Sequence, residues 1–407
     1  MASPQNDKQF NSKESSTTFT NILTSQGVDF LLRSDDSKVP LSSIDDGGNK
    51  TVCLFFSANW CRPCKTFTPQ LVQVYHKLQR WGKKIEIIFI SSDRDEEGFK
   101  AHFKSMPWLS VPFDVNLHRR ISKLYNVDHL PSFIPVVVGS DGNGIISAED
   151  DAVAMIEDYG ADAFPFTKQR KEELRLSDDA KRLGGKLEQL LAFDQPPNHL
   201  ISGHGREMKV SDVFGKTLGL YFAAQWSPPC RAFTIQLIEA YNELLLDSPC
   251  QSFEVVLVST DKDHEEFDSH VSKMPWLAIP YKEEKMRQDL CRIFQVKKIP
   301  SLVIIGPDGQ TITMNGRGMI SMYGAKAFPF TQGRIGEIEA ALRKEGEGMP
   351  SHLKDPKHDH VLKLDMANAY VCDFCRKPGR FWTFSCPVCN YDLHPTCTIQ
   401  IQSNSPF

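Results

Sequence analysis

The sequence predicts an α/β protein made of two tandem copies of one domain, followed by a small metal-stabilised module. Three observations carry this expectation. A series of motifs returns after 164 to 169 residues, strand-like apolar runs alternate with helix-periodic segments in both copies, and cysteine and histidine crowd together near the C-terminus.

The repeat is read by laying the chain against itself. Phe55-Phe56-Ser57-Ala58-Asn59-Trp60-Cys61-Arg62-Pro63-Cys64 returns as Tyr221-Phe222-Ala223-Ala224-Gln225-Trp226-Ser227-Pro228-Pro229-Cys230. Ser91-Ser92-Asp93 returns as Ser259-Thr260-Asp261, Met106-Pro107-Trp108 as Met274-Pro275-Trp276, and Leu130-Pro131-Ser132 as Ile299-Pro300-Ser301. Ala163-Phe164-Pro165-Phe166-Thr167 returns as Ala327-Phe328-Pro329-Phe330-Thr331. So long a period means duplication of a whole domain and excludes a solenoid.

Taken in order, residues 1–18 are polar and Ser/Thr-rich and read as a disordered tail. They lack the apolar stretch of a secretory signal, and Asp7, Glu14 and the absence of Arg speak against a transit peptide. The first domain spans 19–182. Val52–Phe56 and Ile85–Ile90 are continuous apolar runs, the pattern of strands buried on both faces. Between them, Leu71, Val74, Tyr75 and Leu78 repeat at helical spacing. Ser91-Ser92-Asp93 offers capping residues to a helix with the acidic first turn Asp95-Glu96-Glu97. Phe133–Val138 followed by Asp141-Gly142-Asn143-Gly144 suggests a strand entering a hairpin turn. The second domain, 183–346, repeats this order, with Leu302–Ile305 ahead of Pro307-Asp308-Gly309. Alternation of this kind implies a central mixed sheet flanked by helices. The charged clusters near 168–182 and 282–289 read as solvated helix faces, and the Met-Pro-Trp motifs as packing turns. A linker, 347–356, precedes a module at 357–400.

A net charge of −4 gives no electrostatic reason to expect nucleic acid, and no apolar run nears the roughly 18 residues of a membrane span. Of eleven cysteines, five lie between Cys372 and Cys397, and elsewhere only Cys61 and Cys64 form a close pair. That distribution fits catalysis and metal binding better than a disulfide framework. Cys53, Cys250 and Cys291 read as packed thiols.

Cys61-Arg62-Pro63-Cys64 sits between a buried strand and a helix. A cysteine at a helix N-terminus meets unpaired N–H groups and the positive end of the dipole, which lower a thiol pKa from about 8.5 to roughly 7 or below. Two intervening residues let Cys64 close a disulfide within one helical turn, and Pro63 costs little in the first turn. The same spacing could serve as a zinc half-site, but this domain has no second Cys/His pair nearby.

Trp-Cys-x-Pro-Cys followed by Leu130-Pro131-Ser132 resembles the thioredoxin superfamily. The resemblance implies Cys61 as attacking thiolate, Cys64 as resolving thiol, Pro131 as a cis proline opposite them, and Trp60, Arg62, Pro63, Leu130 and Pro131 as the substrate-docking rim. Thioredoxins proper carry a buried Asp where this chain has Phe55 and Tyr221, and the motif is closer to the tryparedoxin and nucleoredoxin branch. In the second copy Ser227 replaces the nucleophile, leaving Cys230 and Pro300 in a degenerate centre. Cys230 is then a lone thiol, or pairs with Cys250 or Cys291, or lies in a redox-silent domain used for packing or docking.

The tail reads His358-x-His360, Cys372-x-x-Cys375, Cys386-x-x-Cys389, His394-x-x-Cys397, a donor set that selects zinc. It resembles the divergent cysteine/histidine-rich finger related to phorbol-ester-binding domains. That likeness implies one site from Cys372, Cys375, His394 and Cys397, and a second from Cys386, Cys389 and a leading His. The last ligand of the second site falls on Ser405. His358 and His360 both serve if they share one face of a strand; otherwise the expectation is a single zinc.

Together the tandem domains and finger resemble the plant nucleoredoxins. This implies a protein-disulfide reductase of cytosol and nucleus, acting on disulfide-containing targets and recharged from NADPH through a thioredoxin reductase. The alternative is a redox-sensitive adaptor that binds partners through the second domain and the finger.

Overall fold

The computed structural model describes residues 19–44, 50–136, 152–184, 187–191, 199–203, 205–247 and 253–398. It divides into two compact units, Met1–Ser177 and Asp178–Phe407. The first unit runs α1 (Phe19–Ser25), β1 (Phe30–Leu32), β2 (Lys38–Pro40), β3 (Thr51–Ser57), α2 (Arg62–Arg80), β4 (Ile85–Ser91), α3 (Glu96–Phe103), β5 (Leu109–Ser110), α4 (Val115–Leu124), β6 (Ser132–Val136), α5 (Ala152–Tyr159) and the start of α6 (Lys168–Gly184). Its six strands lie in the order β2-β1-β5-β4-β3-β6, with β3 parallel to β4 and antiparallel to β6.

Both faces of β3 are covered, as its unbroken apolar run requires. Cys53 and Phe55 pack with Phe67 and Leu71 of α2 and Met155 of α5, while Leu54 and Phe56 pack with Leu23 of α1 and Leu117 and Ile121 of α4. Trp108 closes the first of these layers, edge-on to Phe55 and Tyr75. The cap of α3 is Asp95, whose carboxylate accepts the Gly98 N–H, rather than the Ser91–Asp93 stretch. Asp93 is drawn away to the loop before the tetrad, as described below. The expected turn at Asp141–Gly144 lies outside the described residues.

The second unit continues with α7 (Leu187–Leu190), β7 (His199–Ser202), β8 (Glu207–Lys209), β9 (Thr217–Ala223), α8 (Pro228–Asp247), β10 (Phe253–Ser259), α9 (His264–Val271), β11 (Leu277–Ala278), α10 (Glu284–Ile293), β12 (Ser301–Ile305), β13 (Thr311–Thr313), α11 (Gly316–Tyr323) and α12 (Gln332–Glu347). The sheet order is β13-β12-β9-β10-β11-β7-β8. Registers match the first copy: Ser132 lies opposite Phe56, and Ser301 opposite Phe222. The charged clusters are not wholly solvated. Asp178 of α6 is buried and bonded to Arg292 of α10, and Arg287 is buried with its guanidinium on the Ser259 and Tyr281 carbonyls. A buried charge needs such partners.

A third, antiparallel sheet of β14 (His352–Lys354), β15 (Val361–Val371), β16 (Pro378–Cys386) and β17 (Tyr391–Leu393) forms the C-terminal module. It packs on the second domain. Phe381 stacks on Tyr323 at 5.8 Å, and the Trp382 indole donates to the Leu342 carbonyl at 2.9 Å. Adjacent strand residues normally face opposite ways. Here Phe381 takes a left-handed backbone (φ 68°), and both aromatics reach the same neighbour. Helix α12 reaches Glu347, and β14 occupies His352–Lys354 inside the expected linker 347–356, so the ordered module begins earlier than residue 357.

Candidate redox centre and metal clusters

Helix α2 begins directly after Cys61. This residue caps it in an extended conformation (φ −82°, ψ 113°), and its Sγ accepts the Cys64 N–H at 3.3 Å. The two cysteines are joined in a disulfide with their Cα atoms 5.2 Å apart. Cys61 is nearly buried and Cys64 wholly so. The Leu130–Pro131 peptide is cis, and the Leu130 carbonyl oxygen lies 3.9 Å from Cys61 Sγ. A groove of about 630 Å³ opens beside the sulfur, walled by Trp60, Cys61, Arg62, Pro63 and the loop Asp128-His129-Leu130. Every residue of the expected docking rim except Pro131 lines it. Trp60 is 56% exposed and tethered by its indole N–H to the Ser92 carbonyl, with Arg94 over its ring at 5.7 Å.

Beneath this surface is a polar layer that the sequence did not reveal. Asp93 accepts the Asn59 N–H at 2.8 Å and the Ser91 hydroxyl at 2.8 Å, pinning the loop that delivers Cys61. The buried Ser57 hydroxyl bonds His102 Nε2 at 2.8 Å. Burial holds the His102 pKa below its ordinary value, and nearby Lys65 pushes the same way against Asp93. His118, on the groove wall, bonds the Ser92 and Ser122 hydroxyls at 2.6 and 3.0 Å and is also lowered, first by burial and then by Arg119. These pairs are 26 to 45 residues apart, except Ser91–Asp93 and His118–Ser122. The usable signal was the repeat, since His102 recurs as His270.

The second copy keeps the scaffold and changes the chemistry. Ser227 occupies the place of Cys61, the Ile299–Pro300 peptide is cis, and Trp226 remains 46% exposed. Cys230 is wholly buried and free. It packs on the α8 face of the sheet, whereas Cys291 belongs to the layer on the opposite face, so the sheet separates them. Cys250 lies outside the described residues. Burial pushes the Cys291 thiol up to about 11 and Cys53 higher still, which keeps both protonated near neutral pH.

The eight finger residues gather into two clusters. Cys372, Cys375, His394 and Cys397 form one, and His358, His360, Cys386 and Cys389 the other, with donor atoms within 4.8 Å of one another in each. His358 and His360 are not on a strand; they sit in the turn between β14 and β15 and still reach the same cluster. Ser405 lies outside the described residues, and the second histidine completes the donor count in its stead.

The donor chemistry fits zinc. Both sets are four N/S donors, the composition of closed structural sites. His394 turns Nδ1 to Cys375 Sγ at 3.3 Å and leaves Nε2 to the Pro378 carbonyl at 3.2 Å, the outer contact that orients ligating histidines. His358 Nε2 is buried without a hydrogen-bond partner among the described residues. The neighbouring His358 side chain lowers Cys386 to about 6, and the Lys377 N–H lowers Cys375 to about 7, so both thiols ionise readily.

Comparison with known proteins agrees with this anatomy. A family described as thioredoxin-like matches residues 48–144 and again 215–311, and a C1 domain matches 356–398. Probable nucleoredoxin 3 of Arabidopsis thaliana is 54% identical over 92% of this chain and 93% of its own length. Probable nucleoredoxin 3 of Oryza sativa is 47% identical over 88% of this chain and 74% of its own. Nucleoredoxin of Xenopus laevis is 31% identical over 65% of this chain and 57% of its own.

Proposed function

Since the chain belongs to the nucleoredoxin family of thiol–disulfide oxidoreductases, we propose that it reduces disulfides of target proteins through Cys61 and Cys64 alone. One observation carries this: among the described residues of the two copies, only the first joins a groove-lining cysteine, Cys61, to a buried partner, Cys64, in a disulfide. In the reduced chain, the Cys61 thiolate attacks one target sulfur and forms a mixed disulfide. The other target sulfur leaves as a thiolate and takes a proton. Cys64, once deprotonated, attacks Cys61 Sγ, closes the internal disulfide and expels the second target thiolate. Two electrons pass from enzyme to target.

Restoring the dithiol requires two electrons from outside, which we assign to NADPH through a thioredoxin reductase, with cytosol and nucleus as the compartments. The finger holds two zinc ions, one on Cys372, Cys375, His394 and Cys397 and one on His358, His360, Cys386 and Cys389. Zinc supplies cross-links that fold a module too small to build a sufficient core. The test is insulin reduction by the full chain with NADPH and thioredoxin reductase. Turnover that vanishes in Cys61→Ser is expected. No turnover with the reductase but turnover with dithiothreitol would remove the recharging partner only, and no turnover with either would end the reductase reading.

A further inference from the structure

The second copy has lost its nucleophile without losing its groove furniture. Trp226 stays 46% exposed at the corner where Trp60 is 56% exposed, and the proline loop stays cis. The strands after the two loops pair in equivalent register, Ser132 with Phe56 and Ser301 with Phe222. Counting back from those serines, Lys297 and Lys298 stand where Asp128 and His129 line the first groove.

The charge at this position is therefore reversed. Asp128 and His129 are paired with each other at 2.7 Å. Lys297 and Lys298 are exposed and have no ion-pair partner among the described residues. Lys262 lies over the Trp226 ring at 5.3 Å, and exposed Arg231 reaches the Gln225 carbonyl beside that indole at 2.8 Å. Three of the four acids from Asp261 to Glu266 are committed elsewhere, and Glu265 is exposed. Asp261 is buried on His270 and Ser259, Asp263 caps α9, and Glu266 accepts the Lys262 N–H. Lys262 and Arg231 thus flank a half-exposed indole, and the equivalence of the two copies puts Lys297 and Lys298 on the cis-proline loop that corresponds to the wall of the first groove.

We propose that this degenerate centre is a non-covalent docking site for an extended acidic peptide segment of a target protein. The indole supplies the large, rigid contact typical of a binding hot spot, and the lysines supply charge complementarity and steering. Cys230, wholly buried, takes no part. Peptide binding does not depend on the reductase reading.

The test uses the full-length oxidised chain and a cysteine-free, fluorescein-labelled polyglutamate peptide with a central Phe, followed by anisotropy. Binding is expected to weaken about tenfold or more in Lys297→Glu/Lys298→Glu and in Trp226→Ala, and to fall as salt is added. Cys61→Ser should bind as the unmodified chain does, and a polylysine analogue should not bind. Thermal unfolding of the variants at the unmodified temperature shows that the loss is local. Binding unchanged by the lysine reversal, or abolished instead by Arg62→Glu/Arg94→Glu in the first groove, would overturn the proposal. Insulin reduction by the unmodified chain, measured separately, reports on the reductase reading whatever the peptide does.

Discussion

The two thioredoxin-like copies share a backbone and differ in what their polar interiors can do. Each pins its pre-helical loop with one aspartate, Asp93 on the Asn59 N–H and Asp261 on the Gln225 N–H. Each keeps an exposed tryptophan and a cis proline. Around that frame, residues that can ionise or change proton in the first copy are fixed or gone in the second. Cys61 becomes Ser227, Ser57 becomes Ala223, and His118 is matched by Arg287, which is tied to two carbonyls. Without the serine hydroxyl, His270 turns to Asp261 at 2.9 Å, whereas His102 is held by Ser57. The second copy keeps the geometry, and where the first carries those groups it carries static hydrogen bonds.

The largest expected effect breaks the comparison at the nucleophile. Cys61→Ser should lower insulin-reduction turnover by about 10³-fold or more, because a serine hydroxyl is not ionised at working pH. Cys230→Ser should change it by less than about twofold, the size of an ordinary remote substitution. Removing zinc comes next, since structural zinc contributes on the order of 10 kcal/mol to small modules. Chelation should expose residues 357–398 to limited proteolysis, and the zinc content before chelation should be near two per chain, falling to near one in His360→Ala.

A smaller effect sharpens the comparison by restoring the missing group. Ser227→Cys should place two thiols at the start of α8 in the arrangement seen at α2, and mass spectrometry after mild oxidation should find a second intramolecular disulfide. If the introduced thiol formed no bond to Cys230, the two scaffolds would not be equivalent. The smallest effect is on acid stability. Burial lowers His102 below its ordinary 6.5, so between that value and its folded pKa the unfolded chain binds more protons. Its contribution is therefore complete above pH 6.5 and declines below it, by at most about 1.4 kcal/mol per pH unit. Although burial pushes Asp261 upward, its hydrogen bonds from His270 and Ser259 hold it below 3.8, so its contribution is lost only as pH falls beneath that value. Hydrogen exchange at pH 5 should show the first domain loosening before the second, and His102→Asn should reduce the difference.

The readable parts of the molecule were those written locally. Val52–Phe56 announced a buried strand because parallel strands covered on both faces carry unbroken apolar runs, and Cys61 announced a helix cap by its place after one. The finger donors were legible because soft ligands in close pairs have few other uses. What stayed hidden depends on residues far apart in the chain. Nothing near Ser57 points to His102, and nothing near Asp178 points to Arg292, 114 residues away. The separation of Cys230 from Cys291 by the sheet is a property of the fold alone. The turn that brings His358 and His360 to one cluster likewise achieves without a strand what alternation on a strand would have done. The cis bonds before Pro165 and Pro329, each followed by a buried phenylalanine at φ 65°, have no local cue except that Phe-Pro-Phe-Thr occurs twice.

On the proposed function, a two-domain scaffold holds one redox centre. A redox titration of the full chain, with thiol alkylation and peptide mass spectrometry at each potential, tests it most directly. Cys61 and Cys64 are expected to pass together between dithiol and disulfide as one two-electron couple, with Cys230 a free thiol at every potential and alkylated only after unfolding. A Cys230 that enters a disulfide in the same potential range, or a Cys61 that never pairs with Cys64, would contradict it.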